Sequence, residues 1–577
     1  MILSLPLVCV GCLIPERPSA PPESSSTSAP VDLTAPYSLP LPARRDVGLL
    51  RLEAEASKAN ASSAASTTLH AAGAEASGRR YASLAPGQSI TWHAPAAADS
   101  VVVRFSFPDS ADGSGRDGTL ELQIDGRPGG VLPVTSRYSW DYGKPAWGTT
   151  DVWSSEPRRG LPRHFWDETS LKLPAPFAPN ATLTLVNPSA STQTVLIDFI
   201  ELEAVPAPLA APEHALSFAD YAPAADGVSD DTQKLERALA DAAQQKRTLF
   251  VPAGKYRIDS VRLSEGTLQG AGMWHTRFVG PRAQFHFMGG TASVSDLAIF
   301  GETSHRNDKS DVGNAFTGRP GDGTTIARVW VEHMKCAFWV DRAAEQQGPT
   351  QLRITECRFR DLMADAVNFC NGTRDSMVDN SEIRNSGDDS LAAWSPRHGG
   401  PPGGRNTFAY NVIASPWVAN GIALYVGGPF RVIGNTVSDT VTTGSGIYVS
   451  ANFDAHAFQG LIDVSDNALI RAGAHESDMG GPTGAIRVLA AEGDMTGAQF
   501  LFRNNTVTDP LESAVSIQGP HAITGVQVDG LQVAGAPLLV DVRPGARGEA
   551  AFSHVTAKGA NAGAVRGADS ALFKLSR

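Results

Sequence analysis

The sequence predicts an all-β protein, a right-handed parallel β-helix preceded by an antiparallel β-sandwich. Three observations predict it. Helical periodicity is nearly absent, while short Val, Ile and Leu runs alternate with Asn, Gly, Asp and Ser, and 56 Gly and 39 Pro supply turns. Strand-like runs in the N-terminal third are separated by Asp-Gly and Pro-Gly turn signals. The remainder repeats a short apolar unit at a period near one solenoid coil. A chain of 577 residues predicts two or three domains. The net charge of −12, with no long basic stretch, argues against a nucleic-acid partner and against a polyanionic substrate such as pectin.

Residues 1–12, MILSLPLVCVGC, are apolar and end in a cysteine. They resemble the end of a bacterial lipoprotein signal with Cys12 as the lipidated residue, which implies a secreted or cell-surface lipoprotein of a bacterium. Residues 13–47 are rich in Pro and Ser, cannot build a core, and read as a tether. The only membrane association expected is through that anchor.

Residues 48–205 read as the sandwich. Its runs are SITWHA, VVVRFSF, TLELQIDG, TLTLV and VLIDFIELE. The first strand carries Glu53 and Glu55, and the last carries Asp198. This resembles carbohydrate-binding modules of families 6 and 35, which implies a structural calcium held by these three carboxylates. The alternative is three acids facing water. An aromatic stretch holds Tyr138, Trp140, Tyr142, Trp147, Trp153, His164, Phe165 and Trp166. It is suited to stacking on sugars or to forming a seam with the next domain. Its length favours the seam.

Residues 206–577 read as the β-helix. A Pro/Ala linker leads to one amphipathic helix with Leu235, Ala238, Leu239 and Ala242 on one face. This entry resembles that of pectate-lyase-like β-helices, in which a helix covers the first coil. Coils then align at Leu297, Val329, Cys357, Ser381, Asn411, Asn435, Asn467 and Asn505, with steps of 24, 30, 24, 32 and 38 residues from Cys357 on. Asn411, Asn435, Asn467 and Asn505 share one coil position and predict a stacked amide ladder. Cys336, Cys357 and Cys370 read as small core residues, with a Cys357–Cys370 disulfide left open.

The candidate catalytic residues are Asp365, Asp388 and Asp389, in MADAVNFCNGTRDSMVDNSEIRNSGDDSLAAW. In the alignment Asp365 lies two residues before Val367 and Asp389 two before Leu391, so they stack on neighbouring coils with Asp388 alongside. Stacked carboxylates repel, which raises at least one pKa and lets a site hold a proton donor beside a base. Glycoside hydrolysis needs that pair.

Asp followed one coil later by Asp-Asp on a β-helix resembles the polygalacturonase-type glycoside hydrolases. Within them, DAVNFCNGTRDSMVDNSEIRNSGDDSLAAW, supported by VWVEHMKCAFWVD, resembles glycoside hydrolase family 87, the α-1,3-glucanases and mycodextranases. The resemblance implies cleavage of an α-glucan with inversion, by a monomer that uses no cofactor in catalysis. It implies Asp388 as proton donor and Asp365 and Asp389 as the base, with acid and base about 6.5–9.5 Å apart. Supporting candidates are Asn368 and Asn371 for sugar hydroxyls, or else as turn residues. Trp339, Trp394, Trp417 and Tyr425 are candidates to stack on sugar faces, or else to pack the coils. His333 is a candidate to orient a carboxylate. Mixed α-1,3/α-1,4-glucan is an alternative substrate. A polysaccharide lyase would need a cation beside the acids, for which Arg374 and Arg384 are the nearest in sequence. A non-catalytic glycan-binding protein is the third reading.

Overall fold

A computed structural model of the chain describes residues 37–576, apart from 46–47, 60–61, 66–69, 144–153, 309–311, 342–347, 398–399, 426, 442–443, 476–480, 560, 562 and 568–570. Cys12, Trp147 and Trp153 lie outside the described residues. Among the described residues no helix is long and apolar enough to cross a membrane.

The N-terminal unit is a sandwich of a six-stranded and a five-stranded antiparallel sheet. All five sequence runs are strands within it, including Ala98–Ser106 and Val195–Glu203 at the centre of the larger sheet. Alternate side chains of a strand point to opposite faces. Val101, Val103 and Phe105 therefore fill the sandwich core, whereas Val102 packs with Trp274, Ala298 and Trp330 of the next domain.

The C-terminal unit is a parallel β-helix with three strands per coil along most of its length. Arg353–Thr355, Arg358–Leu362 and Val367–Asn368 form one coil; Met377–Asp379, Glu382–Ser386 and Leu391–Ala393 form the next. On the second face Phe359, Ile383, Ile413, Val437, Leu469 and Val507 stack in register. On the third, Val367, Leu391, Ile422, Ile447, Ile486 and Val515 do so. These residues line one continuous apolar interior. Helix Thr232–Gln245 buries Leu235, Ala238, Leu239 and Ala242 against the first coils.

The amide ladder is present. Each of Asn411, Asn435 and Asn467 donates Nδ2–H to the next asparagine's Oδ1 at 3.0 Å. Each Oδ1 also accepts the preceding asparagine's backbone amide, so buried corner groups are satisfied along the stack. Cys336, Cys357 and Cys370 are buried free thiols.

The sandwich lies against the second face. Arg384 and Arg360 of adjacent coils bind Glu168 and Glu201 of the sandwich and Glu382 of the helix, all buried. Arg104 binds Asp198 and donates to Asn385 Oδ1 at 2.7 Å. His164 stacks on Trp417 with centroids 4.4 Å apart, and Tyr138 stacks on His333 at 4.0 Å. The described part of the aromatic stretch thus contributes to the seam. A buried ion network is costly to assemble and costlier to break, since deleting one member strands a charge.

Candidate active site

The three aspartates meet at the corner where the second face turns into the third. Asp365 precedes Val367–Asn368, and Asp388 and Asp389 precede Leu391–Ala393 one coil later. The register is Val367 on Leu391, so Asp365 and Asp389 stack. Gly387 makes the corner tight: a Cβ there would meet Met363 O at 2.5 Å and the Trp417 ring at 2.6 Å.

One oxygen from each aspartate lies within 4.8 Å of the other two. This nearest-oxygen reach is shorter than the expected spacing of about 6.5–9.5 Å, which is measured between whole carboxyl groups. The three side chains have different surroundings. Asp389 Oδ1 accepts from Asn420 N at 3.0 Å and Asn420 Nδ2 at 2.8 Å, and its Oδ2 accepts from Tyr425 Oη at 2.6 Å. Asp388 Oδ2 is ion-paired with Arg306, whose Nε also donates to Asp308 at 2.8 Å. Among the described residues Asp365 accepts one long bond, 3.4 Å, from Asn368 Nδ2.

Burial dominates all three acidities. It pushes Asp365 well above the carboxylate range, helped by the charges of Asp388 and Asp389. It raises Asp388 against the opposing pull of Arg306. It raises Asp389 to about 7 together with the Asp388 charge, while Tyr425 and Asn420 act in the other direction. The corner therefore retains protons close to neutrality, and both Asp389 and the Arg306-paired Asp388 carry ready-made hydrogen bonds for their ionised forms.

Of the other predicted residues, Asn368 and Tyr425 reach the acids, Tyr425 as a hydrogen-bond donor rather than a stacking platform. Trp339 is half-buried and aligns with Asn368 on the preceding coil; Trp394 is half-buried and donates Nε1–H to Phe453 O at 3.2 Å. Trp417 is fully buried in the seam beneath His164, where no sugar reaches it. Asn371 is a turn residue with φ +53°, its Nδ2 bound to Val340 O at 2.8 Å. His333 does orient a carboxylate, but it is Asp167 of the sandwich, at 2.7 Å, and not one of the trio. Of the residues expected to hold calcium, Asp198 is buried, ion-paired with Arg104 and bonded by Ser77 N, and Ser77 Oγ donates to Glu53 Oε1 at 3.1 Å. Arg306 and the role of Asn420 were missed. Asn420 occupies the aspartate position one coil on and was open to detection by register, whereas Arg306 lies in an insertion with no repeat.

Comparison with known proteins decides between the chemistries such a corner serves. Two family models match, α-1,3-glucanase catalytic domain D1 over residues 48–205 and domain D2 over residues 228–476. The chain belongs to glycoside hydrolase family 87. This family-87 enzyme is similar to the Agl-KA catalytic domain, with 27% identity, TM-score 0.86, and 93% of this chain and 100% of that one covered. It is also similar to the catalytic unit of a thermostable GH87 α-1,3-glucanase from Streptomyces thermodiastaticus strain HF3-3, with 29% identity, TM-score 0.81, and 93% and 96% covered. At 20% identity and TM-score 0.76, covering 92% of this chain and 99% of theirs, lie GH87 catalytic domains crystallised with nigerose or tetrasaccharides, some with one of three aspartates changed to alanine. No curated protein matches the chain in sequence. The family-87 chain is thus a glycoside hydrolase that cleaves α-1,3-glucosidic linkages, and its sandwich is a portion of the catalytic unit.

Proposed function

We propose that this glucanase hydrolyses α-1,3-glucan with inversion at the corner formed by Asp365, Asp388 and Asp389. Asp388 gives its proton to the glycosidic oxygen as the bond from that oxygen to C1 breaks. A water attacks C1 from the opposite side and loses its proton to the Asp365/Asp389 pair. The observation that carries this is the contrast within that pair. Asp389 is fully hydrogen-bonded as an ion and Asp365 is not, while their oxygens lie within 4.8 Å. A single water at a normal hydrogen-bond distance of about 2.8 Å from each oxygen spans such a gap. The aspartates replaced in the nigerose and tetrasaccharide crystals follow one another in steps of 23 and 1, the steps from Asp365 to Asp388 to Asp389.

Proton NMR of the first products from α-1,3-glucan tests the stereochemistry. β-Configured reducing ends are expected, and an α anomer appearing first would mean a covalent intermediate. Asp365→Asn, Asp388→Asn and Asp389→Asn are each expected to lower kcat by about 10²-fold or more, the usual contribution of a general acid or base. Near wild-type turnover in two of them would remove the assignment. Mixed α-1,3/α-1,4-glucan belongs in the same substrate panel. The family match argues against the lyase reading; Arg384 is buried among Glu168, Glu201 and Glu382, and the cation that does stand beside the acids is Arg306.

The apolar leader and Pro/Ser tether support a lipid-anchored, cell-surface location, read by detergent partitioning of wild type against Cys12→Ser. Equal recovery of both in the aqueous fraction would exclude the anchor.

A further inference from the structure

Beyond the catalytic corner, the domain seam holds a second convergence of ligating groups. Asp167 comes from the sandwich. His333 and Asp361 follow in register on consecutive coils, since Glu332 pairs with Arg360. One ligating atom of each of Asp167, His333 and Asp361 lies within 4.8 Å of the others, and Asp361 is within the same reach of Glu332 and Glu168.

Charge accounting sets this cluster apart from the ion network beside it. Glu168, Glu201 and Glu382 face Arg360, Arg384 and, through Glu201, Arg51, so three acids meet three cations. Asp167, Asp361 and Glu332 are left against His333, with Arg277 and Arg360 near enough to act on Glu332. Asp361 is 1% exposed. Its Oδ1 accepts one neutral bond, from Asn385 Nδ2 at 2.6 Å, and its Oδ2 has no hydrogen-bond partner among the described residues. A buried carboxylate oxygen with no donor is unfavourable unless a cation or a proton is supplied.

We propose that Asp167, His333 and Asp361 form a divalent-cation site that clips the sandwich to the β-helix, with Glu332 as a third carboxylate beside Asp361. Two carboxylates with a neutral imidazole carry two negative charges, which one dication balances. A mixed oxygen and nitrogen set suits zinc or manganese better than calcium. His333 Nε2 lies 2.7 Å from Asp167 Oδ1, so an ion bound between them takes the place of the proton they share.

The test uses the full chain, dialysed against chelator and then titrated with Zn2+ or Mn2+, with Ca2+ as comparison. Expected are uptake of one Zn2+ or Mn2+ per chain by elemental analysis and a melting temperature raised by the ion, because only the folded seam assembles the ligands. Asp361→Asn and His333→Gln are expected to lose that uptake, and Asp389→Asn to retain it, which separates the seam from the catalytic corner. Uptake retained in Asp361→Asn but lost in Asp389→Asn would overturn the proposal by moving the ion to the corner. So would a chelator-insensitive melting curve with Asp361→Asn more stable than wild type, which would show that Asp361 holds a proton instead. Neither readout depends on glucan cleavage, so both stand apart from the catalytic reading.

Discussion

Arg306 reaches Asp388 from 82 positions upstream and is the cation through which the fold acts on the proposed proton donor. A guanidinium favours the ionised carboxylate, so its removal raises the Asp388 pKa. If Asp388 is the acid, activity falls as it deprotonates at high pH, and Arg306→Gln moves the alkaline limb of the kcat/KM profile upward. If Asp388 were instead a base, the acid limb would move, so the pH profile assigns the role as well as the partner. Stability gives a second reading of the same corner. Asp365 has a folded pKa raised above its unfolded value, so its ionisation destabilises the fold progressively above about pH 4. Asp365→Asn is therefore expected to melt with wild type near pH 4 and above it at pH 7, a gain won by losing catalysis. The trio was legible in the sequence because its spacing matches a coil. Trp417 was not, because a tryptophan at a coil corner looks the same whether glycan or a second domain covers it.

At the scale of the coil, the sequence revealed more than at the scale of the site. The stacks through Phe359 and Val367 follow the alignment drawn from short apolar runs, since a parallel solenoid requires each coil to repeat its inward residues. Insertions break the period, and one of them carries Arg306, which the alignment missed. The asparagine ladder tests how strongly the register is held. Asn435→Ala leaves the Asn411 amide and side chain without their acceptor, a loss of about 1–3 kcal/mol for each buried group left unpaired. A lower denaturation midpoint and faster hydrogen exchange at Asn411 are expected. Unchanged exchange there would mean that the apolar interior alone fixes the register.

Across the whole molecule the seam couples two units that the sequence presented as separate. Glu168 joins Arg360 and Arg384 across it, and Glu168→Gln should cost about 3–5 kcal/mol by stranding buried charge. Trp417, pressed between His164 and Gly387, carries the same seam to the residue beside Asp388. Trp417→Phe, which keeps a smaller ring in place, is expected to lower kcat more than it raises KM, read on α-1,3-glucan. The length of the aromatic stretch pointed to a seam but not to the strand that builds it: VVVRFSF reads as one apolar strand, when Val101, Val103 and Phe105 serve one core and Val102 and Arg104 another.

That double allegiance limits how such enzymes can be recombined. A domain held by a linker can be exchanged at the linker, because its outer surface owes nothing to its neighbour. Here the outer surface of the larger sheet is interior to the assembled molecule. A sandwich grafted from another protein would need to bring matching residues at Arg104, Glu168 and Glu201 before the β-helix could accept it. The heritable unit is therefore the pair, and a cut at the Pro/Ala linker divides one folded object rather than two.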